Sequence, residues 1–201
     1  MTTRKSIRQE MRSRRRVLDS ATRARAAEAL AALLTALPCY RSAQHIAGYA
    51  AVDGEVDTNL LLQQAHREGK HIYLPVVPAE HSAELRFHRW APDSAMQQNR
   101  FQIPEPALST ANGIAPQSLD LVLTPLVAFD DSGNRLGMGA GFYDRTFAFL
   151  KSGSDKPLML GLAYEFQHLD RLKETSWDVP LAGVVSERHV YFFTGHAGKK
   201  A

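Results

Sequence analysis

Apolar and polar positions along this 201-residue chain follow two periods, and the changes between them mark its elements. Residues 3–17 read as a helix that gathers Arg4, Arg8, Arg12 and Arg15 or Arg16 near one face. Asp19 or Ser20 can cap a second helix, the Ala- and Leu-rich run 21–37, which stops at Pro38. Residues 45–52 form a strand, and after a turn an amphipathic helix runs from about Asp57 to Gly69. Strands follow over 71–77 and 85–90. Six prolines between residues 75 and 116 predict loop or edge structure there. A buried strand over 119–129 then leads through a glycine-rich loop to a helix over 142–151. Further strands cover 157–163 and 184–193. Strands alternating with helices predict an α/β fold: a single-domain, open, mainly parallel sheet with helices on both faces. Residues 1–195 form that domain and 196–201 a flexible tail. Ligands of such sheets gather at the carboxyl ends of the strands, which puts Glu55 and the 133–145 loop on one rim.

Composition adds little to this except through charge. Apolar residues make up 44% and charged residues 22%, ordinary values for a soluble globular protein. No amino-terminal apolar stretch resembles a signal peptide and no segment reaches membrane-spanning length, so a cytoplasmic protein without a membrane partner is expected. The single cysteine, Cys39, excludes an intrachain disulfide and reads as a small buried residue or a free thiol. Residues 1–25 carry nine Arg or Lys against Glu10 and Asp19, a balance of +7 in a chain whose net charge is +3, so the remainder sums to −4. Such a basic arm attracts phosphates, whether of a nucleotide or of a nucleic acid.

The candidate chemistry concentrates in Gly133-Asn-Arg-Leu-Gly-Met-Gly-Ala-Gly-Phe-Tyr-Asp-Arg145, which holds four of the 13 glycines. Gly137, Gly139 and Gly141 let backbone approach a ligand closely, and free amides at the helix start beside Arg135 favour an anion. The loop is neither a Walker A sequence nor a Gly-x-Gly-x-x-Gly dinucleotide fingerprint. From residues alone it is either a phosphate cradle or a wide turn between strand and helix. Glu55 is either a ligand contact or a solvated turn carboxylate, and Asp144 gains from the helix dipole whatever else it does. No His-Glu-x-x-His spacing, no Gly-x-Ser-x-Gly elbow and no protein nucleophile stand out.

The segment Arg135-Leu-Gly-Met-Gly-Ala-Gly-Phe-Tyr-Asp-Arg145 resembles the signature of the 5-formyltetrahydrofolate cyclo-ligase family, the methenyltetrahydrofolate synthetases. Arg4-Lys-Ser-Ile-Arg8, Gly54-Glu-Val-Asp-Thr58 and Trp177-Asp-Val-Pro-Leu181 agree with it in order, so the likeness spans nearly the whole chain. The family often carries Lys where Ala140 stands and Tyr where Phe142 stands. The resemblance implies an α/β fold and an ATP site made by Arg4, Lys5, Arg8, Arg135, Leu136, Gly137, Met138, Gly139, Ala140, Gly141, Phe142 and Tyr143. It implies a folate site with Arg8 and Glu55, and Mg2+ held near Asp144 and Asp178. Trp177 reads as core or pocket wall.

The implied partners are ATP and 5-formyltetrahydrofolate, with or without a polyglutamate tail; no nucleic acid is expected, and the chain would be a monomer or weak homo-oligomer. The implied reaction phosphorylates the formyl oxygen, after which N10 closes the ring and phosphate leaves, with Arg135 as the transition-state cation. Two rivals keep a footing: a folate- or nucleotide-binding protein of the same fold without catalysis, and a nucleic-acid-binding module built on the basic helix.

Overall fold

A computed structural model describes residues 3–78, 84–107 and 113–193. The tail expected at 196–201 lies outside the described residues. Helix α1 spans Arg4–Arg16, capped by Thr3, and α2 spans Ser20–Ala36, where the Asp19 carboxylate accepts from the Thr22 amide at 2.7 Å. A short α3, Pro38–Ser42, precedes β1 (His45–Ala47), α4 (Asn59–Arg67), β2 (His71–Val76) and β3 (Arg86–Trp90). The proline-rich stretch supplies a separate hairpin of β4 (Met96–Gln98) and β5 (Pro104–Pro106), then a two-residue edge strand β6 (Gly113–Ile114). Next come β7 (Leu121–Pro125), a small hairpin of β8 (Ala128–Phe129) and β9 (Arg135–Leu136), α5 (Phe142–Thr146), β10 (Leu158–Leu162), β11 (Gly183–Val185) and β12 (Val190–Phe192).

The main sheet has the order β12-β11-β10-β7-β1-β2-β3-β6. Its five central strands, β11 to β2, pair in parallel, and antiparallel strands close both edges. Alternation along the strands sorts side chains by face. Ile46, Leu121, Leu123 and Leu160 pack with Leu30 and Leu34 of α2 and Leu61 and Leu62 of α4. Ala47, Val122 and Met159 meet Phe147 and its neighbours on the other face. Helices therefore cover both faces, as the alternating pattern predicts. α1 packs at the rim, where Met11 joins Val127, Ala128, Leu136 and Leu172.

Three expected elements break up. The apolar run 119–129 stays in the sheet only through Pro125. Side chains take the next carbonyls: Gln167 donates to Leu126 and Val127 at 2.8 Å each, and Arg15 to Leu126 at 3.3 Å. The expected helix 142–151 is α-helical to Thr146 and 3₁₀ over Ala148–Ser152. The tighter winding stacks Phe147 and Leu150 toward the sheet, and Gly153 at φ 92° ends it. The run 184–193 is a hairpin, turned where Ser186 Oγ accepts from the amides of Arg188 and His189. Strand β1 is also shorter than 45–52.

The chain builds β2 and β3 on one side of β1, then β7 and β10 on the other. The order thus switches between β1 and β7, where doubly wound sheets open a crevice for ligands. β1 leads to Asp53-Gly54-Glu55 and β7 to the glycine loop.

Candidate functional site

The crevice is bordered by α1, which reaches both of these loops. Arg4 Nη1 bonds Asp178 Oδ2 at 3.1 Å, and Arg8 Nε donates to the Gly137 carbonyl at 2.8 Å. Arg12 Nε and Arg15 Nη2 reach Asp53 Oδ2 at 2.6 and 3.2 Å, and Arg16 Nε reaches its Oδ1 at 2.6 Å. Five of the helix's arginines thus bond to these loops or to Asp178, while the Arg14 guanidinium lies 4.4 Å from the Phe166 ring centroid. Partial burial and the nearby Arg4 charge pull the Arg8 pKa below the ordinary value, with Asp178 working the other way.

Glycine-loop conformation explains two of its residues. Gly139 (φ 111°) and Gly141 (φ 67°) occupy the left-handed region, and a Cβ on Gly139 would lie 3.5 Å from the Arg8 guanidinium. Gly137 needs neither explanation: its φ is ordinary and a Cβ there would meet nothing within 4 Å. Met138, Gly139 and Ala140 are exposed on the loop tip. Arg145 Nη1 donates to the Ala140 carbonyl at 2.9 Å and its guanidinium lies 5.0 Å from the Phe142 ring centroid.

Arg135 is a brace under this loop. Its side chain is 5% exposed, Nη2 bonds Asp144 Oδ1 at 2.6 Å, and Nη1 donates to the Val179 carbonyl. Burial lowers its pKa while Asp144 and Asp178 oppose the shift. Asp144 Oδ1 also accepts from the Val179 amide at 3.1 Å, and Asp178 Oδ2 from the Thr175 amide at 3.0 Å. Burial works against ionised Asp178, but the bonds from Thr175 and Arg4 outweigh it and hold its pKa low. Trp177, read from sequence as core or pocket wall, is 68% exposed, so the core reading is corrected. The turn's backbone bonds inward on both sides of it, so the indole has no place in the core. Lys5 lies exposed on α1 and Leu136 is buried under the loop.

Glu55 is buried, its side chain 8% exposed, with Oε2 accepting from the Val52 amide at 3.1 Å and Oε1 3.8 Å from Arg15. Burial raises its pKa, against the pull of the Val52 bond and the Arg15 charge. The Tyr143 hydroxyl is buried with no hydrogen-bond partner among the described residues, and burial and then the Glu55 charge push its pKa up. A buried hydroxyl without a partner costs stability.

Because Glu55 titrates higher folded than unfolded, the native state holds more protons between the two pKa values. Stability therefore falls as pH rises through that window, and the loss is complete above the folded pKa. Glu55→Gln is expected to raise the melting temperature at pH 7 and to change it much less at pH 4, just below the ordinary glutamate pKa, where most of the acid is already neutral in both states. Thermal melts of both proteins at the two pH values check this; a gain confined to pH 4 would refute it.

Two contributors escaped sequence reasoning. Arg15 is fully buried and Asp53 takes three arginines. The spacing Arg12, Arg15, Arg16 marks one helix face and was the available signal. Cys39 is a half-buried free thiol, its pKa raised by burial.

A glycine loop, an arginine helix and buried carboxylates at a sheet's switch point define an α/β protein with an anion-competent crevice. The chain belongs to the 5-formyltetrahydrofolate cyclo-ligase family, whose sequence model matches residues 1–187. The 5-formyltetrahydrofolate cyclo-ligase of Haemophilus influenzae is 41% identical over 182 residues, 90% of this chain and 96% of that one. Its counterpart from Escherichia coli K12 is 36% identical over 181 residues, covering 90% and 98%. The NMR structure of Aquifex aeolicus 5,10-methenyltetrahydrofolate synthetase superposes with a TM-score of 0.80 at 31% identity, covering 95% of this chain and 93% of that one. Membership makes the chain an enzyme, a ligase of folate one-carbon metabolism. Among the described residues, no helix is long and apolar enough to cross a membrane.

Proposed function

We propose that residues 1–195 act as one domain that converts 5-formyltetrahydrofolate to 5,10-methenyltetrahydrofolate with consumption of ATP. The formyl oxygen takes the γ-phosphoryl group and ADP departs; N10 then attacks the activated carbon and loses its proton, and phosphate leaves as the ring closes. The observation that supports this reading best is the junction of Arg8 with the Gly137 carbonyl, which sets the basic helix against the glycine loop at the switch point.

Most of the work required is alignment and charge neutralisation. The loop amides of 137–141, with Arg4, Lys5 and Arg8, would hold the phosphates. Arg135 would fix Asp144 and place a desolvated positive charge beside the moving phosphoryl group. Glu55 and the Tyr143 hydroxyl would meet the folate from the β1 side, within reach of its polar ring atoms or the attacking amine.

The donor chemistry near Asp144 fits Mg2+. Its side chain is 22% exposed and Oδ2 carries no hydrogen bond or ion pair among the described residues. Magnesium commonly takes one or two carboxylates plus phosphates and waters, and no group of three ligating side chains is found among the described residues. Asp144 would hold the ion, with Asp178, the residue before the Val179 whose amide Asp144 accepts, as the second acid nearby. When bound, it would offset charge on the nucleotide phosphates.

Incubation with 5-formyltetrahydrofolate and Mg-ATP, following the methenyl chromophore and ADP together, tests the whole reading. Equal appearance of both supports it, and ATP binding without product would favour the non-catalytic alternative. Gly137 gives a sharper test. Its glycine has no conformational or packing reason in the ligand-free chain. Gly137→Ala is therefore expected to leave the melting temperature unchanged and to raise the KM for ATP about tenfold or more, because the methyl meets only the ligand. An unchanged KM would mean that phosphate does not approach the loop there.

A further inference from the structure

We infer that Trp177 is the platform on which the nucleotide's base stacks. This rests on the reading above that the glycine loop holds the phosphates. Few large apolar side chains on this surface are as exposed as Trp177, which at 68% forgoes the burial an indole ordinarily gains. It does not sit on a loose loop. The turn that carries it is fastened on both sides: the Ser176 carbonyl accepts from Lys151 Nζ, the Asp178 amide bonds the Thr175 carbonyl at 3.0 Å, and Asp178 holds Arg4 at 3.1 Å. Val179 is clamped at its amide by Asp144 and at its carbonyl by Arg135. The structure thus presents a solvent-facing aromatic ring on a fastened turn, one residue from an arginine-bound carboxylate of the proposed phosphate site.

Two fused bicyclic ring systems take part in the reaction, an aromatic purine and a tetrahydropteridine whose second ring is reduced, and α1 separates their ends. Arg4 at one end pairs with Asp178, and Arg15 near the other reaches Asp53 and Glu55. Eleven residues of helix put these contacts roughly 16 Å apart along the axis. The indole belongs to the Arg4 end, away from buried Glu55, so its partner is the purine. Met138 on the loop tip is also exposed, at 48%.

The test compares wild type, Trp177→Leu and Trp177→Phe. Calorimetry follows ATP and inorganic tripolyphosphate, and the wild-type minus Trp177→Phe emission follows the indole. ATP is expected to quench that emission, tripolyphosphate to bind without quenching, and Trp177→Leu to weaken ATP roughly tenfold with tripolyphosphate affinity unchanged. Trp177→Phe should recover most of the loss, and the KM for 5-formyltetrahydrofolate should stay constant. Equal ATP affinity in wild type and Trp177→Leu would overturn the stacking role and leave the phosphate site standing. Quenching by the folate in place of the nucleotide would overturn the assignment to the purine. Failure of both ATP and tripolyphosphate to bind wild type would overturn stacking and phosphate site together.

Discussion

Arg135→Ala is expected to lower kcat by about 10²- to 10³-fold, the loss typical of removing one preorganised charge-stabilising donor from a water-poor site. The substitution removes a desolvated cation and at the same time releases Asp144 and the Val179 carbonyl, both of which Arg135 holds. A loss of charge alone and a loss of bracing alone make different predictions for Arg135→Lys. Lysine keeps the charge but cannot bridge a carboxylate and a carbonyl with one planar fork, so an intermediate kcat is expected. Steady-state kinetics, read as ADP release well below the unfolding temperature, distinguish these outcomes. A near-normal kcat for Arg135→Ala would remove this residue from the mechanism.

Arg15→Ala should act mainly on stability, costing about 3–5 kcal/mol, because it opens a cavity and strips buried partners at once. Arg15 is fully buried, and its guanidinium meets Asp53, the Leu126 carbonyl and Glu55. Asp53 retains Arg12 and Arg16, whose bonds hold its pKa low against burial, so the damage falls on Leu126 and Glu55. Arg15→Met refills most of the volume and should cost less than half as much. Urea unfolding of the three proteins measures this directly. Equal stability of wild type and Arg15→Ala would show that the buried guanidinium contributes no net stabilisation.

How far the site was legible follows from how locally each part is determined. The glycine loop, Asp144 and the basic helix could be read because glycine spacing, helix starts and charge runs are properties of adjacent residues. The junctions could not. Arg4 meets a residue 174 positions away and Arg8 one 129 positions away. Arg15 could be placed on a helix face with Arg4, Arg8 and Arg12, but nothing in its neighbours announces complete burial. Of the two readings of Trp177, core or pocket wall, the core reading failed in the opposite direction: the turn that carries it spends its backbone bonds inward and leaves the ring outside.

The same division runs through the fold. Apolar periodicity by itself determined that strands and helices alternate and that the central strands are buried on both faces. Local polar residues set where α1 and α2 begin, because capping by Thr3 and Asp19 is a matter of three or four residues. Periodicity could not determine where the run 119–129 leaves the sheet, since that is decided by Gln167 and Arg15 taking its carbonyls from afar. Strand order, the switch between β1 and β7, and the meeting of α1 with both rims were likewise decided only by tertiary structure. Those choices depend on packing free energies between distant segments, which no local pattern encodes.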